Sequence, residues 1–257
     1  MPTDVVKHKL CLRHNKVYTM PTDVVKHKLC LRHNKVYIKR FNLLCMKESE
    51  IIQIIIGIVI LGIVTGARDI ISLDFNAVAW IVGFSAIVIG ANIIGKKIIA
   101  SRLDADVEHE VWKMQRYGLP VGAHLERSIP AGIIFPLFVT VISLGTVNLM
   151  SVLTYETRAL KRRAARRFGP FSFTEMTDYH NSWVGAGGII AVLIVAFLSY
   201  WIPGASALGR IATFYAFWNM IPFSKLDGTQ IYFGSRVLWS VLAVITLIST
   251  MYALLLV

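Results

Sequence analysis

Six stretches of the sequence are apolar enough to form membrane-associated helices. A helix needs about 20 apolar residues to cross a bilayer core of about 30 Å, and about 17 residues is the lower limit. Four of the stretches fit this length well, whereas Ala205–Ile221 is short and carries Arg210. The pattern predicts an all-α polytopic membrane protein with helices in Ile51–Ala67, Ala77–Gly95, Ile129–Met150, Trp183–Ile202, Ala205–Ile221 and Val237–Val257.

The segment Ile98–Gly118, between the second and third stretches, is polar and has two interpretations. At 3.6 residues per turn its apolar and charged residues form separate stripes, as in an amphipathic helix on the membrane surface. Alternatively the segment enters the membrane, where ionisable side chains must face protein or water and are functional. If the segment enters the membrane, the chain gains one crossing, and the basic residues Arg158–Arg167 then lie in the cytoplasm. These residues also lie in the cytoplasm if the stretch Ile129–Met150, which contains two prolines, is re-entrant and so enters and leaves the membrane on the same side.

Composition supports a membrane protein. Of the 257 residues 55% are hydrophobic and 16% are charged, and the formal net charge is +12. Soluble globular domains have about 25% charged residues. The low charge content and the long apolar runs exclude a disordered chain and argue against an ordinary cytosolic enzyme.

Two segments carry most of the positive charge. Residues 1–50 hold 11 Lys/Arg and 4 Asp/Glu, and Arg158–Arg167 holds six basic residues in ten. Because cytoplasmic loops are enriched in Lys and Arg, we expect the amino terminus and this second segment in the cytoplasm. The second segment lacks the interleaved aromatic residues of a nucleic-acid surface. Contact with anionic membrane lipids is therefore the simpler interpretation, and we expect no nucleic-acid partner.

The amino-terminal tail contains a duplication, because residues 1–18 and 20–37 are identical. The second copy with the residues that follow it, KLCLRHNKVYIKRF, alternates apolar and polar residues around an Arg-His-Asn-Lys turn, which predicts a small β-hairpin. We divide the chain into a basic cytoplasmic tail, residues 1–48, and a membrane domain, residues 49–257. The core of the membrane domain is expected at about residues 80–240.

The most specific motif is Asn219-x-x-Pro222, followed by Leu226-Asp227-Gly228, between two apolar stretches. Pro222 interrupts a helix and frees backbone groups that lipid does not satisfy. Gly228 permits a close backbone approach. Asp227 is therefore a carboxylate beside a membrane helix, at a point of local irregularity. Its alternative role is that of a cap for the following helix.

This motif resembles that of the site-2 protease family of intramembrane zinc metalloproteases, in which an N-x-x-P…L-D-G stretch supplies an aspartate ligand to zinc. Ser224-Lys225 departs from the usual proline-containing filling between the two halves of the motif. The resemblance implies a site-2 protease-like core, Asp227 as a metal ligand, and cleavage of a transmembrane peptide or protein. It also implies zinc or another divalent metal as cofactor.

Members of this family carry H-E-x-x-H on an earlier membrane helix, where two histidines four residues apart bind zinc and the glutamate acts as base. The present chain has no H-E-x-x-H. An alignment on His109-Glu110 keeps one histidine and the catalytic Glu110, with Lys113 at the second histidine position. An alignment on Arg116-Tyr117-Gly118, which matches an R-Y-G-like end of the family motif, places Asp106 and Glu110 at the two histidine positions.

On a helix, Asp106, His109 and Glu110 share one face. With Asp227 they form an oxygen-rich metal site that suits Mn²⁺, Fe²⁺ or a weaker zinc site. The alternative is a buried ionic cluster without metal, in which Lys113 or Arg116 neutralises the carboxylates. Two further candidates, near the cytoplasmic end of the helices, are Asp178 and His180.

Three functions are compatible with these features. The first is a metal-dependent intramembrane endopeptidase with a degenerate active site. The second is a catalytically inactive pseudoprotease that acts as a membrane binding or scaffold protein, with no metal cofactor. The third is a transporter component, for which the sequence offers no repeat of broken helices.

Overall fold

The computed structural model describes residues 46–116, 124–159 and 176–255. All of these residues belong to one compact unit, Phe41–Val257. The duplicated tail with its predicted β-hairpin, and the basic segment beyond Ala159, lie outside the described residues.

The described residues are mostly helical and form eight helices. Four of these helices, α1, α3, α5 and α8, are long and apolar enough to cross a membrane. The helices are α1 Glu48–Thr65, α2 Ala67–Ile71, α3 Phe75–Arg102, α4 Ala131–Ile142, α5 Asp178–Trp201, α6 Ser206–Met220, α7 Asp227–Gly234 and α8 Arg236–Leu255. The six predicted apolar stretches correspond to α1, α3, α4, α5, α6 and α8, although α4 and α6 are shorter than expected.

Large apolar side chains on the outer surfaces of the long helices are exposed, as in Ile52 of α1 and Leu247 of α8. A helix that is apolar all round is stable only inside a large core or in lipid. Polar residues lie at the helix ends, and Asp74 caps α3 by accepting a hydrogen bond from the Ala77 amide at 3.2 Å. This distribution is typical of a membrane domain.

Helix α5 packs against α3, α6 and α7. It approaches α3 closely because glycines face each other: a Cβ built on Gly95 lies 2.4 Å from the Gly187 carbonyl oxygen. No side chain larger than hydrogen fits there without moving backbone. The crossing brings the last turns of α3 next to the first turns of α5.

Two small antiparallel sheets follow α3. Strand β1, Ala105–Val111, pairs with β4, Leu153–Ala159, and strand β2, Met114–Arg116, pairs with β3, His124–Ile129. In the first sheet Ala105 lies opposite Ala159. The prediction of a helix over Ile98–Gly118 was therefore wrong for the strands Ala105–Val111 and Met114–Arg116.

Glutamines satisfy backbone groups on both strands of the β1–β4 sheet. Gln53 of α1 accepts a hydrogen bond from the Val111 amide at 2.7 Å. Gln230 of α7 donates one to the Tyr155 carbonyl at 3.0 Å. Because an open sheet edge is costly in apolar surroundings, these contacts allow a two-stranded sheet to lie among apolar helices.

The predicted span Ile129–Met150 is not a single crossing helix. Only the 12 residues Ala131–Ile142 are helical. At 1.5 Å per residue this helix covers about 18 Å, which is too short for a bilayer core of about 30 Å. The remainder of the stretch turns back toward the sheet.

Residues 130–152 form a hairpin whose two ends meet at Trp112. The Trp112 carbonyl accepts the Gly132 amide at 2.8 Å, and the Trp112 amide donates to the Val152 carbonyl at 2.9 Å. The turn of the hairpin lies at Gly145, where a Cβ would be 3.3 Å from Cβ of Ala67, just beyond α1. The chain therefore leaves and returns on the same side, which corresponds to the re-entrant alternative.

Candidate functional site

The Asn219–Gly228 motif forms a tight connection between α6 and α7. Helix α6 ends at Met220. Helix α7 begins at Asp227, after Leu226, whose backbone is extended. A Cβ on Gly228 would lie 2.1 Å from the Met220 carbonyl oxygen, so a side chain at this position would collide with backbone. Asn219 is fully buried and donates its side-chain amide to the Tyr215 carbonyl at 2.9 Å. The motif thus holds the start of α7 against the end of α6.

Leu226 and the motif loop pack against the hairpin through Trp112. The Trp112 indole donates to the Ser224 hydroxyl at 3.2 Å, and its ring stacks on Phe135 of α4 and meets the edge of Phe223. Ser224 has a left-handed φ of 54°, a strained conformation for a residue with a side chain. The aromatic cluster therefore joins the hairpin to the residues that precede Asp227.

The carboxylate of Asp227 pairs with Lys96 of α3. The Lys96 Nζ lies 2.7 Å from Asp227 Oδ2, and both side chains are only 1% exposed. The same ammonium lies over the Tyr155 ring, 4.4 Å from its centroid. A buried ion pair is stable only when each charge has its partner, because either charge alone is heavily penalised in apolar surroundings. Asp227 therefore binds a cation, and the cation is a lysine.

Asn92 lies one helical turn before Lys96 on the same side of α3. Both side chains pass over Gly188 of α5, since a Cβ built there would meet Lys96 Cε at 2.7 Å and Asn92 Nδ2 at 3.0 Å. Asn92 is 2% exposed, and its Nδ2 has no hydrogen-bond partner among the described residues. Positions 92 and 96 thus present two polar side chains, four residues apart, toward the packed interior.

The predicted face of Asp106, His109 and Glu110 does not form, because these residues lie on strand β1. Side chains alternate along a strand, so Asp106 and Glu110 point away from His109. Asp106 accepts a hydrogen bond from the Val107 amide at 3.0 Å. Glu110 lies 3.0 Å from Lys113, as the metal-free alternative predicted, but this pair is partly exposed. The three residues therefore do not converge on one site.

His109 lies in a separate buried cluster with α1. Its Nδ1 is 3.0 Å from Glu50 Oε1, and Lys97 Nζ is 3.4 Å from the same oxygen. Burial lowers the pKa of His109, and the hydrogen bond to Glu50 opposes that shift. His109 lies opposite Tyr155 in the β1–β4 register, so the two buried clusters are neighbours across one cross-strand pair.

Asp178 and His180 lie in the first turn of α5. The helix begins after Thr177, whose hydroxyl contacts His180 Nδ1. The Tyr179 ring meets the His180 ring at 5.9 Å. Close to them, a Cβ on Gly234 would lie 2.3 Å from the Asp178 carbonyl oxygen, so α7 ends against the start of α5.

Sequence reasoning missed Lys96, Asn92, Tyr155 and Glu50. Lys96 and Lys97 follow an apolar run and look like the basic boundary of a membrane helix, whereas α3 continues to Arg102. The available signal was the spacing of Asn92 and Lys96, two polar residues four apart near the end of an apolar helix. Tyr155 and Glu50 gave no comparable signal, because their roles depend on the pairing of distant segments.

The residues around Asp227 do not fit a zinc site. Zinc requires neutral imidazole, thiolate or carboxylate ligands, whereas Lys96 brings a positive charge and Asn92 a weakly coordinating amide. In the ranges that the structure describes, His, Cys, Asp and Glu form no group of three or more able to hold a metal ion. Comparisons with protein-family models, curated proteins and solved structures give no match to this chain.

Proposed function

We propose that the chain is a catalytically inactive site-2 protease-like membrane protein that binds transmembrane segments. The observation that carries the proposal is the ion pair between Asp227, in the L-D-G part of the motif, and Lys96 on α3. The motif supports the family, and the ion pair supports the loss of hydrolysis.

The chemistry of α3 supports inactivity. Metal-dependent peptide hydrolysis needs three protein ligands, a metal-bound water and a general base. The helix segment that faces Asp227 reads Asn92-Ile93-Ile94-Gly95-Lys96, with an amide and an ammonium at spacing i, i+4. Ile93, at the position where H-E-x-x-H has its glutamate, carries no group that accepts a proton. The segment therefore supplies neither the ligands nor the base.

The arrangement of helices supports an orientation with the amino terminus in the cytoplasm. Glu108 of β1 contacts both Lys47, just before α1, and Arg158 of β4. Lys47 and Arg158, which border the two basic segments in the sequence, therefore lie at the same end of the helix bundle. The excess of Lys and Arg in those two segments of the sequence favours the cytoplasmic side for this end and contact with anionic lipid headgroups.

Metal content and peptidase activity test the proposal. We expect purified full-length protein to contain no stoichiometric zinc, manganese or iron and to leave a model transmembrane substrate uncleaved. About one metal ion per chain, lost in Asp227→Ala, together with cleavage, would instead establish the endopeptidase alternative and overturn the proposal.

Binding is tested separately. The protein is reconstituted in vesicles with fluorescent synthetic transmembrane peptides, and energy transfer is measured as the peptide density rises. Binding predicts saturable transfer that an unlabelled peptide reduces. Transfer that rises only linearly with density would show chance proximity and remove the binding part of the proposal.

A further inference from the structure

We propose that the return segment of the hairpin, residues 146–152, lines a water-filled crevice that opens at the α2 end of the membrane domain. The ligand of this crevice is water, and the groups that bind it are backbone amides and two polar side chains. The crevice is independent of the proposed function, because it involves neither the motif nor the ion pair.

Both ends of the return segment are fixed against α1. At the hairpin turn, a Cβ on Gly145 would lie 3.3 Å from Cβ of Ala67, just beyond the end of α1. Next to the other end, a Cβ on Gly57 would lie 3.1 Å from Leu153 Cδ1. Gly57 is in the middle of α1, which has 18 residues and is therefore about 27 Å long. The return segment thus runs along half of a helix that is long enough to cross the membrane.

Most amides of the return segment have no partner in the protein. The Thr146 amide donates to the Ser143 carbonyl at 3.0 Å, and the Val147 amide donates to the Ser143 hydroxyl at 3.2 Å. Within the described ranges, the amides of residues 148–152 form no hydrogen bond. An unpaired amide is costly in apolar surroundings, and non-helical backbone at this depth occurs only inside protein or beside water. The surrounding protein does not satisfy these amides, which leaves water as their partner.

Two side chains of the return segment need the same partner. Asn148 Oδ1 and Ser151 Oγ are buried and have no hydrogen-bond partner in the described part of the chain. Ser151 is only 2% exposed, so neither bulk solvent nor a lipid headgroup reaches its hydroxyl directly. A buried water needs about two to four polar partners. These two oxygens and the neighbouring amides supply them.

Exposure falls along the segment and indicates where the crevice opens. Residues 146 and 147 are exposed, residues 148 and 149 are half-buried, and residues 150–152 are buried. The exposed end adjoins the hairpin turn at α2, whereas the carbonyl at the buried end, that of Val152, accepts the Trp112 amide. Water therefore enters beside α2 and reaches the level of the middle of α1.

Hydrogen exchange resolved to single amides tests the proposal on the full chain in lipid nanodiscs. We expect the amides of residues 148–151 to exchange at least about tenfold faster than those of residues 58–65, in the half of α1 that lies alongside. The Trp112 amide, which donates to the Val152 carbonyl, is the control and should stay protected. Slow exchange of residues 148–151 would overturn the proposal. Equally fast exchange of Trp112 would also overturn it, because the hairpin would then detach as a whole.

Cysteine labelling tests for water independently, because the thiolate is the reactive form of cysteine and does not form in hydrocarbon. In a chain whose three cysteines are replaced by serine, Asn148→Cys should react with a small, charged methanethiosulfonate from the side on which Ser72→Cys reacts. Val59→Cys, on the outer surface of the same half of α1, is the matched control and should remain unmodified. An unreactive Asn148→Cys in a folded, monodisperse protein, or one that reacts only from the opposite side, would contradict the crevice.

Discussion

Gly188 of α5 lies directly against Lys96 of α3, so closely that a Cβ on Gly188 would come within 2.7 Å of the lysine Cε. The same lysine pairs with Asp227, at 2.7 Å. The Lys96 side chain therefore cannot shift to make room for a new methyl group without changing the geometry of its ion pair. The close packing of Gly188 on Lys96 and the ion pair between Lys96 and Asp227 therefore depend on each other.

We expect Gly188→Ala to destabilise the protein by about 1–3 kcal/mol, the usual cost of adding a methyl group to a packed interior. The matched control is Gly90→Ala in α3, where nothing lies within 4 Å of the added Cβ. This control should be neutral or stabilising by up to about 1 kcal/mol, because alanine favours helix over glycine. Thermal unfolding in detergent compares the two variants, and equal midpoints would contradict the packing argument.

Removing one partner of the buried ion pair should be far more damaging than removing both. Lys96→Met or Asp227→Leu leaves one uncompensated charge and should cost about 3–5 kcal/mol, whereas the double variant should recover most of that loss. The measurement is a double-mutant cycle on unfolding free energy. Additive losses in the double variant would show that the two charges do not stabilise each other.

Tyr155 contributes through its ring and through its hydroxyl, and two substitutions separate these contributions. Tyr155→Phe removes the 2.9 Å hydrogen bond to the Asn181 carbonyl but keeps the ring below Lys96, so we expect a loss of about 0.5–1.5 kcal/mol. Tyr155→Leu also removes the cation–π contact, which adds about 2 kcal/mol in a desolvated site. Equal losses for the two variants would assign the whole effect to the hydroxyl.

His109 should make the protein less stable in acid. Burial lowers its pKa from 6.5 in the folded state, so just below pH 6.5 the unfolded chain binds more protons than the folded one. Stability therefore rises with pH in this window and falls on acidification, by at most about 1.4 kcal/mol per pH unit from this group. The melting temperature between pH 7.5 and 5.5 should fall less steeply in His109→Gln. Parallel curves would show that another group controls the pH dependence.

The hairpin of residues 130–152 predicts on which side of the membrane each connection between helices lies. Because residues 130–152 leave and return at Trp112, the end of α3 and the start of α5 lie on the same side. Single cysteines at Ser101 and Thr177, in a cysteine-free chain, should react together with a membrane-impermeant maleimide from one side of oriented vesicles. A cysteine at Ser72 should react from the opposite side. Labelling of Ser101 and Thr177 positions from different sides would contradict the re-entrant hairpin.

The long helices were predictable because apolar runs directly encode burial in lipid. The prediction for α1 was Ile51–Ala67, and the helix is Glu48–Thr65. The motif was equally visible, since a proline and a glycine at fixed spacing mark an irregular connection. These features are local, so the sequence around each of them carries the information.

Strand β1 was mistaken for a helix for a specific reason. Val107 and Val111 are four residues apart, and residues at that spacing share a side both in a helix and in a strand. His109, midway between them, distinguishes the two cases, because it joins their side only in a strand. The seven residues Ala105–Val111 alternate in burial along their whole length, and that period of two was the better signal.

The partner of Asp227 was not predictable from the sequence. Lys96 looks like the cytoplasmic end of a membrane helix, and only the crossing of α3 and α5 at Gly95 and Gly187 shows that it is buried. The pairing also joins segments far apart in the chain. No local pattern records such a contact.

The two buried ionic clusters impose an order on biogenesis. Glu50 enters the membrane with α1, so this carboxylate stays unmatched until Lys97, in the last turns of α3, and then His109, 59 residues away on β1, have been synthesised. Lys96 lacks its ion-pair partner for longer, because Asp227 is synthesised only after α5 and α6. A lone charge in the bilayer is expensive, and neighbouring helices or water must shelter it meanwhile. The nascent chain is therefore most vulnerable to recognition by membrane quality control between the insertion of α3 and the docking of α7.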